Sequence, residues 1–272
     1  MNLYTKEQVQ TIHEEKFAFI TILELDHVLT ITLDRAQKKN ALHPKMIDEI
    51  TFAMQYAHFE KNIWMLIIEA KGSVFCAGAD LKAMMGMIEE NDSTIPTSNE
   101  KILIGELFNK IHKPTIAKVT GDVYAGGFFF LAGCNIVLAN KGIKFGLPEV
   151  KRGLFPFQVM AGLLKIMPSR KVLDWCIRGY NLSVEDAEQY GLVTKVVAPE
   201  NMDIEIEKII QELKQNSPSA IRFGLKAYDH IQASAAEHEY LYKMLMETIG
   251  TQDGQEGIKA FREKRKPNWT GS

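Results

Sequence analysis

The chain predicts an α/β core followed by a helical C-terminal third. Three observations carry that prediction. A strand-turn-helix unit occurs at 63–87 and again at 114–133, its strands are continuous apolar runs of the kind buried on both faces of a sheet, and beyond residue 158 the pattern becomes mostly helical. The repetition is one of structure; no residue-level period accompanies it.

Taken in order, residues 17–24 (FAFITILE) and 28–33 (VLTITL) are β-branched runs joined through Asp26-His27, which predicts a hairpin. After a polar loop at 34–42, Pro44 suits a first helical turn, and Ile47, Ile50, Met54 and Tyr56-Ala57 follow at helical spacing. Residues 63–69 (IWMLIIE) form a buried strand, then a small-residue stretch at 72–79 and a Met-rich helix to about Met87. The stretch 91–98 (NDSTIPTS) is a surface loop or a candidate lid, and Thr97-Ser98-Asn99-Glu100 reads as a capping box opening a helix to about Ile111. Pro114–Val119 is a strand, Gly121 to Gly127 a glycine-punctuated turn and Phe128–Gly133 a short apolar helix; strands at Ile136–Ala139 and Ile143–Gly146 precede Pro148-Glu149. Helices are expected over 158–189, 203–215 and 217–249, with a capping box at Ser183-Val184-Glu185-Asp186 and Pro218 opening a helix after Ser217.

With 272 residues, 46% hydrophobic and 24% charged, the chain can bury a substantial core as one large domain or two unequal ones. Its 32 basic and 34 acidic residues are spread along the chain, which gives no electrostatic case for a nucleic-acid partner. Cys76, Cys134 and Cys176 form neither a CxxC pair nor a disulfide framework, so a reducing compartment is expected. The histidines never fall at metal-ligand spacing, and no metal is expected. No apolar run approaches the 18 residues of a membrane span and the N-terminus lacks a signal-peptide core; a soluble, cytoplasmic protein without a membrane partner is the expectation.

Two segments could carry chemistry. Phe75-Cys76-Ala77-Gly78-Ala79-Asp80-Leu81-Lys82 sets small residues between a buried strand and a helix, where backbone can approach a ligand and N–H groups near a helix start lack partners. Gly121-Asp122-Val123-Tyr124-Ala125-Gly126-Gly127-Phe128 repeats the device. Each alone is equally well a tight turn or a close helix contact. The second is not a Walker loop, since Gly127-Phe128 stands where Lys-Ser/Thr would follow, and there is no GxGxxG for a dinucleotide. The Ser98-Asn99-Glu100-Lys101 match to SxxK is a four-residue coincidence in a loop.

Together the two segments resemble the enoyl-CoA hydratase/isomerase, or crotonase, superfamily. FCAGADLK is similar to its first oxyanion motif and KPTIAKVTGDVYAGG to the strand and turn of its second. Lys39-Asn40-Ala41-Leu42, Phe145-Gly146-Leu147-Pro148-Glu149-Val150 and Glu256-Gly257-x3-Phe261-x2-Lys264-Arg265 fall in order over residues 15–269. The resemblance implies a crotonase-type spiral of β-β-α turns, residues 1–200, and a helical region, 201–272, for trimerisation and coenzyme A contact, with trimers commonly paired into hexamers. It implies that the N–H groups of Ala79 and Gly126 form an oxyanion hole. Coenzyme A, as part of an acyl-CoA substrate and with no separate cofactor, would run past Gln37, Lys38, Lys39, Ala77, Asp80 and Leu81. Phe261 and Lys264 would reach its nucleotide end in a neighbouring subunit. Lysines 38, 39 and 264 suit phosphates, although each alone could equally be a solvated lysine.

Hydratases of the family use two glutamates around one water. Glu149 matches the second. The first is replaced by Phe129, three residues after Gly126, and a Pro-Gly-x-Gly-Gly turn is replaced by the bulkier Gly153-Leu154-Phe155-Pro156-Phe157-Gln158-Val159-Met160. One carboxylate suffices to move a proton between two carbons, which favours double-bond migration or single-carboxylate hydration. Asp122, Glu89 or Glu90 could stand in for the missing group. The remaining alternatives are an acyl-CoA lyase or thioester hydrolase on the same scaffold, and a catalytically weak acyl-CoA-binding subunit.

Overall fold

A computed structural model describes residues 3–87, 89–98, 100, 102–232 and 235–268, with backbone alone for 230–232, 235–241 and 244. Thr5 caps α1 (Lys6–Val9), accepting from the Gln8 N–H while the Gln8 side chain accepts from its own. Asp26 and His27 both adopt left-handed backbone (φ 48° and 68°), the twist that a two-residue hairpin needs, and join β1 (Ile20–Leu25) to β2 (Val28–Leu33). His43 Nδ1 accepts from the Lys45 N–H and opens α2 (Pro44–Phe59). There follow β3 (Met65–Ala70), β4 (Val74–Cys76), α3 (Leu81–Met84), α4 (Ile104–Leu107), β5 (Thr115–Val119), β6 (Asp122–Tyr124), α5 (Phe128–Gly133), β7 (Ile136–Asn140) and β8 (Lys144–Gly146). Then come α6 (Phe157–Leu164), α7 (Ser169–Arg178), β9 (Asn181–Ser183), α8 (Val184–Gln189), β10 (Lys195–Val197), α9 (Met202–Lys214), α10 (Pro218–Gln232), α11 (Ala235–Gly250) and α12 (Gln252–Glu263).

The strands form two sheets. One has the order β1-β2-β3-β5-β7-β10 and is parallel beyond the first hairpin; the other is β4-β6-β8-β9, parallel except for β8 with β9. Long strands β3, β5 and β7 each pass directly into a short partner, β4, β6 or β8, in the second sheet. This is the spiral of β-β-α turns. Both faces of β3 are buried, as its unbroken apolar run predicts: Leu66 and Ile68 join the main core, whereas Met65 and Ile67 face a second cluster under Met202, Ile206 and Ile210 of α9. Each such side chain contributes about 1.5–3 kcal/mol.

Several elements differ from the sequence expectation. The Met-rich helix stops at Met84, because Gly86 turns to φ +82° and Met84, Met85 and Met87 are exposed, leaving no apolar face to extend it. The helix expected from the 97–100 box begins only at Ile104, and a 3-10 turn at Phe108–Lys110 finishes it. Within that box Ser98 Oγ accepts from the Glu100 N–H, and Asn99 and Lys101 lie outside the described residues. The turns at 72–79 and 121–127 contain β4 and β6, the segment 158–189 is broken by β9, and β10 was not expected; three-residue strands carry too little periodicity to be read. Ser183 does cap α8, accepting from the Asp186 N–H, and α10 does open at Pro218.

The loop from Arg35 to Leu42 is fastened by a buried side chain. Asn40, itself at φ 50°, donates from Nδ2 to the Lys71 carbonyl (2.9 Å) and the Val74 carbonyl (2.8 Å) and accepts the Arg35 N–H at 2.8 Å. Asn40→Ala removes three hydrogen bonds and strands their partners, so urea unfolding should show a loss of about 2–4 kcal/mol. An unchanged midpoint would contradict this role.

Candidate active site

Three neighbouring parallel strands of the second sheet, β4, β6 and β8, are in register through Cys76 with Val123 and Tyr124 with Gly146. Just past their C-terminal ends lie Ala79, Gly126 and Glu149, the residues assigned to chemistry by the motifs. The crevice beyond such strand ends is where open parallel sheets bind ligands.

The segment 77–80 is fixed by three main-chain bonds to the 39–42 loop: Ala77 N–H to Lys39 O, Leu42 N–H to Gly78 O and Asp80 N–H to Leu42 O. The Ala79 N–H faces away from that pairing and meets no protein acceptor among the described residues. Gly126 sits in the first turn of a 3-10 helix, Ala125–Gly127, ahead of the first intrahelical acceptor. The two strand ends touch. A Cβ on Gly78 would lie 2.6 Å from the Ala125 Cβ and 2.9 Å from the Gly126 nitrogen, and one on Gly126 would lie 3.6 Å from the Ala79 nitrogen. Gly78 also needs φ +86°, so only glycine serves there. The donors are not those of the helix start, as the small-residue reading suggested: Asp80 caps α3 and accepts the Lys82 and Ala83 N–H groups itself.

Glu149 opens a 3-10 turn, Glu149–Arg152, after Leu147-Pro148. Its Oε2 is fully buried and has no hydrogen-bond partner among the described residues. Burial pushes the carboxyl up to about 7, against its own backbone N–H and the positive charge of Arg152. Of the three phenylalanines in α5, Phe128 packs on Phe145 and Trp175, and Phe130 on Phe75 and Phe108, all within the core. Phe129 is half-buried, and its Cε2 lies 3.4 Å from where a Gly126 side chain would begin, so its ring walls the crevice.

A cavity of about 570 Å³ adjoins Ala79 and is lined also by Lys38, Asp80, Leu81, Lys82, Met87, Ala41, Arg35 and Glu89. Of the residues expected along coenzyme A, Lys38, Asp80 and Leu81 line this space, while Gln37, Lys39 and Ala77 flank it on the 36–42 loop and the end of β4. Phe261 and Lys264 are not among its lining. Phe261 lies on Arg152 of the same chain, ring centroid to Cζ 4.3 Å, where the resemblance points to a neighbouring subunit. The close seat arises because Gly257 has no Cβ; one would stand 2.1 Å from the Arg152 carbonyl oxygen.

Arg35 was missed by the sequence reading. Its buried guanidinium donates to Ala41 O, to Asp80 Oδ2 at 2.8 Å and to Glu89 Oε2 at 2.7 Å, and lies over the Phe19 ring. Burial raises Asp80, yet Arg35 and the capped N–H groups outweigh it and hold the carboxyl below the usual range. An arginine after a strand ordinarily reads as solvated, and the one available signal was Asp80 in the first motif needing a cation. The suggested stand-in carboxylates are occupied or exposed: Asp122 accepts from Tyr124 Oη and the Lys144 N–H, Glu89 is paired with Arg35, and Glu90 is exposed.

Neighbouring strand ends thus gather two main-chain N–H groups and a buried carboxyl oxygen, and the comparisons with known proteins give the family. A family model described as enoyl-CoA hydratase/isomerase matches residues 24–272, and the chain belongs to that family, the crotonase superfamily. It is 31% identical over 256 residues to enoyl-CoA hydratase domain-containing protein 3, mitochondrial, of Xenopus laevis, covering 93% of this chain and 87% of the relative. It is 31% identical over 260 residues to the mevalonyl-coenzyme A hydratase of Aspergillus fumigatus, covering 90% of this chain and 92% of that protein. The solved carnitinyl-CoA hydratase from Mycobacterium avium superposes with a TM-score of 0.82 at 25% identity, over 94% of this chain and all of that one.

The Glu149 environment has a cost that can be measured. Its carboxyl is raised in the fold from 4.5 to about 7, so the native state binds more protons than the unfolded one across that interval. Stability therefore falls as pH rises from about 4.5 to 7, by up to about 3 kcal/mol. Glu149→Gln should match the wild type at pH 4.5 and exceed it at pH 8 in denaturant titrations; parallel profiles for the two proteins would contradict the buried-carboxyl assignment.

Proposed function

We propose that this chain is an acyl-CoA enzyme of the hydratase/isomerase type, acting through a thioester enolate with Glu149 as its one acid/base carboxylate. What supports the reading is a single arrangement: adjacent parallel strand ends present two main-chain donors and one buried, unpartnered carboxyl oxygen. Glu149 takes the proton from the carbon beside the thioester carbonyl, and the freed electron pair moves onto the carbonyl oxygen. The Ala79 and Gly126 N–H groups hold that oxygen, each such donor contributing about 2.7–4 kcal/mol in the transition state. The same carboxyl then returns the proton at the γ carbon as the double bond migrates, leaving atoms and charge balanced. A carboxyl poised near 7 suits both halves of the transfer.

Two-carboxylate hydration needs a second group to hold water, and the Phe129 ring wall supplies none, so the reaction proposed is double-bond migration or hydration by Glu149 alone. Coenzyme A would pass Gln37, Lys38, Lys39, Ala77, Asp80 and Leu81, with no separate cofactor. Assembly into trimers, paired as hexamers, belongs to the same proposal and is supported by exposed Leu173 and Ile177 on one face of α7 and Phe223 on α10. Phe129 also favours a second reading, a catalytically weak acyl-CoA-binding subunit.

Turnover separates the two. With a panel of enoyl-CoAs, following water addition and double-bond migration separately, Glu149→Gln should lower turnover by about 10²–10⁴-fold with coenzyme A binding retained. A variant as active as the wild type, or a wild type that binds without turning over, would leave the binding subunit as the better reading. Phe129→Glu should raise water addition relative to migration by restoring a second carboxylate; an unchanged product ratio would show that the ring is not what excludes water.

A further inference from the structure

The turn that carries Glu149 is gripped from outside by α12. At Gly257 helix backbone meets turn backbone, and an added Cβ would crowd the Arg152 carbonyl and stand 2.8 Å from the Gly153 nitrogen. One helical turn further, on the same face, Phe261 lays its ring against the Arg152 guanidinium. Arg152 is half-buried and forms no ion pair with any carboxylate among the described residues, so the aromatic face is the partner that fixes its position.

Other groups pack on or near this turn, among them Asp253 one helical turn before Gly257 on the same face of α12. On α7, Cys176 is a buried thiol pushed up to about 12, first by burial and then by Glu149, and it stays neutral. Gly179 at the end of α7 meets Val150 and the alkyl part of Lys151. On and beyond α12, Glu256 and Glu263 are both bonded to Arg265. Arg152 stands three residues after Glu149 in one 3-10 turn, where side chains so spaced lie over one another, and its charge opposes the effect of burial on Glu149.

We infer that Phe261 is a positioning residue: by holding the Arg152 guanidinium against the turn, it keeps a positive charge beside the Glu149 carboxyl, so that the seating of α12 sets the ionisation of the proton-moving group. This rests on the reading of Glu149 given above. Phe261 would then serve the chemistry from within its own chain, apart from any contact with coenzyme A.

The test is a direct titration of Glu149 by carbon-13 NMR in full-length protein labelled at the glutamate carboxyls, the resonance being assigned by its loss in Glu149→Gln. Phe261→Leu keeps apolar bulk without an aromatic face, Phe261→Tyr keeps the face, and Arg152→Gln removes the charge without altering the helix. In Phe261→Leu and Arg152→Gln the midpoint should move upward, lowering the ionised fraction at pH 7 at least about threefold. Phe261→Tyr should titrate like the wild type, and the Leu/Gln double variant should move no further than Arg152→Gln alone. The inference is overturned if Arg152→Gln leaves the midpoint in place, if Phe261→Leu does so while Arg152→Gln does not, or if Leu and Tyr act alike. The titration needs no turnover. A Glu149 that follows Phe261 in this way but proves dispensable for catalysis would sink the proposed reaction and leave the coupling standing.

Discussion

The site depends on how closely two strand ends approach. Past the ends of β4 and β6 the backbones meet at Gly78 and Gly126, with no room for a side chain on Gly78, and that proximity brings two main-chain N–H groups to one edge of the sheet. Parallel pairing of β6 with β8 then carries Glu149 to the same edge. The rest of the spiral serves this alignment. The long strands β3, β5 and β7 bury both faces and hold the short strands in register, while Asn40 and the 39–42 loop pin the first donor segment from the other side.

Burial has opposite consequences for the charged groups around the crevice. Arg35 is buried and Asp80 half-buried beside it, and their bond favours the ionised carboxylate, making a cavity wall. The Glu149 Oε2 is buried without a bonded partner among the described residues, which destabilises the charged form and pushes the carboxyl up to about 7. Two carboxylates in one chain are thus pushed in opposite directions, Asp80 down and Glu149 up, by their surroundings alone.

What the sequence made legible follows the strength of each local signal. The hairpin at Asp26-His27, the α2 start at Pro44, the doubly buried β3 and the short helix at 128–133 are strong periodic or turn signals, and all appear in the fold. The three-residue strands β9 and β10 exist only through pairing with distant strands, and the Met-rich helix had helical composition but no core to pack on. At the proposed site, the motifs pointed to Ala79, Gly126 and Glu149, which the fold brings to neighbouring strand ends, and to Phe129 beside Gly126. Arg35 was invisible because its significance lies in tertiary contact with Asp80 and Glu89, 45 and 54 residues away. The seat of Phe261 on Arg152 was equally hidden, since it depends on how α12 folds back.

The exposed methionines past α3 give the mouth of the cavity a distinct chemical vulnerability. Met87 lines the cavity, and Met84 and Met85 stand in solvent beside it, whereas the thiols of Cys76 and Cys176 are buried and kept protonated. Peroxide reaching this protein would meet thioethers before thiols. Each sulfoxide formed would turn a pliable, greasy rim into a polar one, and a methionine sulfoxide reductase could reverse the change.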